Sequence, residues 1–143
     1  MKARISVLTL GVADLERSVS FYRDGMGLAT EGIIGTEYEN GAVAFFRLQD
    51  GLQLALWPWA SIAADTGLPA GGGTPGAFTI GHNVNSKTEV DQVMDQAAKA
   101  GAAIVKPPQQ TFYGGYAGYF RDIDGHLWEV VWNPALSVEE YEA

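Results

Sequence analysis

Apolar and polar positions along this chain fall into short alternating runs interrupted by two helical stretches, and the order of those runs repeats. Arg4 to Leu10 alternates in the manner of a strand. Asp14 stands where a helix N-cap belongs, and Leu15, Val19, Tyr22 and Met26 share one helical face until Gly25 and Gly27 end the run. Extended segments follow at Ala29–Tyr38 and Ala42–Leu48. Gln49-Asp50-Gly51 then turns the chain into Leu52–Trp57, because Asp-Gly between alternating residues favours a hairpin. Residues 1–57 therefore read as a β-α-β-β-β module.

Residues 58–75 differ in kind. Pro, Gly and Ala are in excess, Gly71, Gly72 and Gly73 sit near the middle, and only Ser61–Asp65 suggests a short helix, so the stretch reads as a linker. The earlier order then restarts over residues 76–134. Ala77–Val84 reads as a strand, Ser86 with Glu89 forms a capping box for a helix through Ala100, and Gly101 stops it. Ala102–Val105 reads as a strand ended by Pro107-Pro108, and an aromatic hairpin closes the module. Residues 135–143 form a tail with one possible helical turn from Ser137. Superposing the two halves sets Val12 beside Val84, Val7 beside Thr79, Gln53 beside Leu127, Ala55 beside Glu129 and Trp57 beside Val131.

The hairpin, TFYGGYAGYFRDIDGHLWEVVWNP, carries the most distinctive chemistry. If Asp122-Ile123-Asp124-Gly125 forms a four-residue turn, Arg121 faces His126, Phe120 faces Leu127 and Gly118 faces Glu129. Alternation puts Leu127, Glu129 and Val131 on one face and Trp128, Val130 and Trp132 on the other. Glu129 is thus a carboxylate among apolar neighbours in a strand that reads as buried on both faces. It is open to three roles: a structural carboxylate, an anchor for a cationic or hydrogen-bond-donating ligand, or a general base whose pKa burial raises.

Composition narrows the classes. Hydrophobic residues make up 47% and charged residues 18%, which supports a packed core and excludes a disordered chain. With no cysteine, disulfides, thiolate metal sites and cysteine nucleophiles are excluded. A formal net charge of −8 argues against nucleic acid, which needs clustered Lys and Arg, and is compatible with a basic ligand. No apolar run approaches a membrane span and no signal-peptide pattern opens the chain, so a cytoplasmic setting without membrane contact is expected. No Ser-His-Asp set or nucleotide fingerprint is present, and the three linker glycines lack the strand-to-helix context of a phosphate loop.

A strand leading into GVADLERSVSFYRDGMGL, a helix ending before GAAIVKPP, and a final YFRDIDGHLWEVVW together resemble the vicinal oxygen chelate superfamily, which contains glyoxalase I, bleomycin-resistance proteins, fosfomycin-resistance enzymes and extradiol dioxygenases. The resemblance implies an α+β fold in which two βαβββ modules pair into a cupped mixed sheet around a cavity, with helices outside, and a homodimer. It also implies four metal-ligand positions, which fall here on Val7, Ala55 (or Gln53), Thr79 and Glu129. Valine and alanine offer no donor and threonine is a poor one, so no resident metal or other cofactor is expected. His82 and His126 are out of phase with these positions; His82 is expected to pack toward a helix and His126 to finish the turn.

The expected site is an apolar cavity with Trp57, Tyr113, Tyr116 and Phe120 as aromatic walls and Gln53, Thr79 and Glu129 as polar anchors. Phe112-Tyr113-Gly114-Gly115 is a candidate lid. Two functions remain open: metal-independent binding of a small organic molecule, as in bleomycin-resistance proteins, or an enzyme of the lyase, isomerase or ring-cleaving dioxygenase kind with an atypical metal site and Glu129 as the candidate catalytic group.

Overall fold

The structure, a computed structural model, describes residues 1–71, 78–136 and 138. The chain divides between Gly73 and Thr74 into two compact units. The first contains β1 (Val7–Val12), α1 (Leu15–Ser20), β2 (Thr30–Ile34), β3 (Val43–Arg47), β4 (Gln53–Pro58) and α2 (Trp59–Thr66). Its sheet runs β1-β4-β3-β2, with β1 and β4 parallel and the other pairs antiparallel. The second contains β5 (Ile80–Val84), α3 (Lys87–Ala100), β6 (Ala103–Gln110), β7 (Tyr116–Arg121) and β8 (Leu127–Trp132). Its order, β5-β8-β7-β6, repeats the first, again with one parallel pair, β5 and β8, and the other pairs antiparallel.

Each sheet buries one face under its helix. In the first unit Leu10, Val12, Ala44, Phe46, Leu54 and Leu56 are buried, and α1 packs on β2, β3 and β4 through Leu15, Val19 and the Phe21-Tyr22 pair beyond its end. The Tyr22 and Phe46 rings lie 6.0 Å apart. Asp14 caps α1 by accepting from the Arg17 N–H at 3.2 Å, and a π-helical turn over Phe21–Gly25 carries the helix to the left-handed Gly27. In the second unit Val90, Met94 and Ala97 of α3 cover β7, β6 and β8. Gly118 is what lets α3 approach: a Cβ there would lie 2.9 Å from the Met94 methyl. The Ser86 hydroxyl caps α3 at the Glu89 N–H, and Gly101 ends it in the left-handed region.

Three expectations change. The Asp122 carboxylate accepts from the N–H groups of Asp124 and His126 at 2.9 and 2.8 Å, while the Asp122 N–H donates to the His126 carbonyl at 2.9 Å. The turn therefore closes one residue tighter than a four-residue loop, and the register moves with it: Arg121 faces Leu127, Phe120 faces Trp128 and Tyr119 faces Glu129. Strand β6 does not stop at the prolines but runs through Pro107-Pro108 to Gln110. It is an edge strand, where a missing N–H costs no ladder bond, and its register is irregular at this place. Finally, α2 is longer than the short helix expected. Gly72, Gly73, the start of the Ala77–Val84 strand and the turn at Ser137 lie outside the described residues.

Candidate functional site

The face of the first sheet turned away from α1 carries Val7, Thr9 and Gly11 from β1, Gln53, Ala55 and Trp57 from β4, and Val43 and Phe45 from β3. Thr9, Ala55 and Phe45 form one rung across three strands. Around that rung opens a hollow of about 260 Å³, walled by Val43, Phe45 and Trp57 and rimmed by Asn40 and Gly41 of the β2–β3 loop. Ala55, with its single methyl, is what leaves the floor low. The Trp57 indole N–H donates to the Asn40 carbonyl at 3.0 Å, which holds the ring against the rim, and Asn40 itself sits in the left-handed region. Next along the face Gly11 makes room for Trp59 of α2, whose ring a Cβ at that place would strike. Gln53 shares the face but lies opposite Val7 and Arg47, outside the hollow.

The equivalent rung of the second unit is Gly81, Glu129 and Tyr119. Glu129 is half-buried and its Oε2 accepts from the Tyr119 hydroxyl at 2.8 Å. That hydrogen bond is the main reason the Tyr119 pKa is raised; burial, the charge on Glu129 and the neighbouring Tyr113 add to it. Tyr113 therefore belongs to this neighbourhood, although much of its ring is exposed and stands edge-on to Phe112. The loop that carries it is bonded across its base. Thr111 N–H donates to the Gly115 carbonyl and Gly115 N–H to the Thr111 hydroxyl, so the turn does not have the two free glycine hinges a swinging lid would use. Thr79 is exposed, two residues ahead of Gly81.

Two expected wall residues lie elsewhere. Phe120 is 2% exposed on the helix-facing side, stacked on Trp128 with 6.0 Å between ring centroids. Tyr116 shares that side, donates to the Asp91 carboxylate of α3 at 2.7 Å, and has the Lys87 ammonium 6.0 Å from its ring centre. Both depart from the Glu129 face for one reason: the tighter turn slides β7 by one residue, and a slip of one exchanges the faces. Tyr119, Thr9, Phe45 and Val43 are the residues that sequence reasoning missed. Their strand parity was legible; the partner of each rung was not.

His82 lies on the helix-facing side, as its parity requires. Partial desolvation lowers its pKa from the ordinary 6.5, with the charge on Glu89 opposing, although the residue keeps an exposed side. The backbone of His126 completes the Asp122 turn.

The strand pairing agrees with the superposition of the two halves, since Ala55 and Glu129 occupy equivalent rungs. Of the metal-ligand positions that the resemblance implies, Val7 and Ala55 have no donor atom, and Glu129 already accepts a hydrogen bond on one oxygen. Among the described residues no three His, Asp or Glu side chains come together as a metal-holding group. These side chains do not fit a divalent transition metal, which needs three or four such donors.

Residues 4–130 match the Glyoxalase/Bleomycin resistance protein/Dioxygenase superfamily. A glyoxalase-related enzyme from Fulvimarina pelagi is similar at 33% identity and a TM-score of 0.82, with 96% of this chain and 93% of that chain covered. A glyoxalase/bleomycin resistance protein/dioxygenase from Nocardioides is similar at 25% identity and a TM-score of 0.73, covering 100% and 91%. A lactoylglutathione lyase from Agrobacterium tumefaciens, at 23% identity, TM-score 0.68 and 97% and 100% coverage, shares the fold. No curated protein matches the chain.

Proposed function

Because the chain belongs to the Glyoxalase/Bleomycin resistance protein/Dioxygenase superfamily, we propose that it binds a small organic molecule without a resident metal ion, in the aromatic hollow of its first unit. The observation that carries this reading is the hollow itself: two aromatic rings and short aliphatic side chains around about 260 Å³, with Thr9 as the polar contact on its floor. Small-molecule sites combine such walls with few polar groups, and commonly enclose about 300–1,000 Å³. This hollow falls just below that range, which favours a compact ring over an extended chain. The donor-poor ligand positions support metal independence, and no helix among the described residues is long and apolar enough to cross a membrane.

Trp57 is the natural reporter. Titration with compact aromatic compounds, followed by tryptophan emission, should saturate equally well in chelator-treated and untreated protein. Ala55→Leu, which fills the floor, should weaken binding at least tenfold. Binding that appears only after adding a transition metal overturns the proposal, as does an Ala55→Leu variant with full affinity. A metal requirement together with turnover would favour the enzymatic alternative, a lyase, isomerase or ring-cleaving dioxygenase, whose support is the name of the Fulvimarina pelagi relative. The working form in this proposal is a cytoplasmic homodimer.

A further inference from the structure

We propose that the second unit carries a polar notch of its own, at Gly81, that takes a carboxamide or lactam group between Glu129 and Asn83. This goes beyond the hollow of the first unit and stands whether or not that hollow is occupied.

Gly81 is the starting point. It lies inside β5, where a residue without a side chain weakens the strand. Its backbone does not call for glycine, since it is not among the positive-φ positions. Packing does not call for it either: among the described residues the one atom within 4 Å of a Cβ placed there is the Asn83 amide nitrogen, at 3.9 Å. Neither conformation nor crowding accounts for the missing side chain, and its absence leaves open space beside Glu129, its direct partner on β8.

The groups around that space are complementary to one chemistry. The Tyr119 hydroxyl donates a hydrogen bond to Glu129 Oε2, which holds the carboxylate in one orientation and leaves Oε1 with no protein donor among the described residues. Asn83 projects on the same face, one step diagonally across the parallel pair, because Asn83 faces Val131 and Gly81 faces Glu129. Its carboxamide, half-buried, makes no hydrogen bond to another described residue and turns its N–H₂ toward the notch. Across the rung Glu129 offers an acceptor, and Asn83, whose amide nitrogen lies nearest the gap, offers a donor. The matching ligand edge presents an N–H to Glu129 beside a C=O for Asn83, which is the edge of a primary amide or a lactam. A carboxylate would be repelled by Glu129. An amidinium would satisfy Glu129 but offer the Asn83 N–H₂ no acceptor.

The test is a nuclear magnetic resonance titration of the full ¹⁵N-labelled chain with 2-pyrrolidinone, acetamidinium and acetate. The lactam should give saturable shifts at the Gly81 backbone and the Asn83 side-chain amide, and acetate should give none. Gly81→Val should weaken lactam binding at least tenfold. If valine lowers the melting temperature, Gly81→Ala, whose methyl meets only Asn83 among the described residues, replaces it with a smaller loss. Glu129→Gln should weaken binding also. The proposal is overturned if no saturable shift occurs, if acetamidinium binds more tightly than the lactam, or if filling Gly81 leaves affinity unchanged. Lactam shifts confined to Phe45 and Trp57 would overturn it while supporting the hollow of the first unit.

Discussion

Replacing Asp122 by alanine tests whether one carboxylate sets the hairpin on which the second rung depends. Asp122 is 4% exposed, and its Oδ1 accepts from two backbone N–H groups at 2.9 and 2.8 Å. A hydrogen bond to a charged group contributes about 1.5–3 kcal/mol, but the pair is not additive, and the variant no longer desolvates a carboxylate. A net loss of about 2–4 kcal/mol follows, a large part of a typical domain's stability of roughly 5–15 kcal/mol. Asp122→Asn keeps the acceptor oxygen and loses only the charge, so about half that loss is expected. Urea unfolding of the three proteins measures the difference. A second readout is the register: a turn relaxed to four residues would bring Gly118 opposite Glu129 and free the Tyr119 hydroxyl, so its phenolate would form at lower pH. An Asp122→Ala protein within about 0.5 kcal/mol of wild type would refute the claim that this side chain organises the turn.

Tyr119 is the group to follow on the alkaline side. Its folded pKa is raised above the ordinary 10.0, so its contribution is complete below that value and is lost as pH rises through the folded value. Ultraviolet titration should show Glu129→Gln bringing phenolate formation to lower pH; no change would mean that the 2.8 Å bond is not the cause. On the acid side, the lowered pKa of His82 makes its contribution complete above 6.5 and lost as pH falls toward the folded value, so His82→Gln should flatten the wild-type loss in that window. The imidazole sits on an exposed edge strand, which keeps the effect small, and parallel pH profiles for the two proteins would rule the contribution out. Gly118→Val should cost about 1–3 kcal/mol by overpacking against Met94, measured by thermal unfolding, and Met94→Ala in the same chain should recover part of the loss.

Most of the architecture was legible because it is written in local chemistry. Asp14 and Ser86 are caps by virtue of their own side chains, Gly101 ends a helix because it tolerates a left-handed backbone, and strand parity places Glu129 apart from Trp128 and Trp132 whatever the strand pairs with. The superposition of the two halves needed only the order of such signals, and strand pairing places Ala55 and Glu129 on equivalent rungs as the superposition has them. What one residue does to its own backbone can be read from that residue. The site was different, because a rung is a relation between strands distant in sequence. The closure of the Asp122 turn by two side-chain hydrogen bonds, not the turn's composition, decided that Tyr119 and not Gly118 meets Glu129, and the same slip sent Phe120 and Tyr116 to the helix side. Likewise the hollow at Ala55 exists because Phe45, Thr9 and Trp57 converge from separate strands. Pairing energies are cooperative and non-local, so the partner across a sheet is settled only when the whole sheet forms.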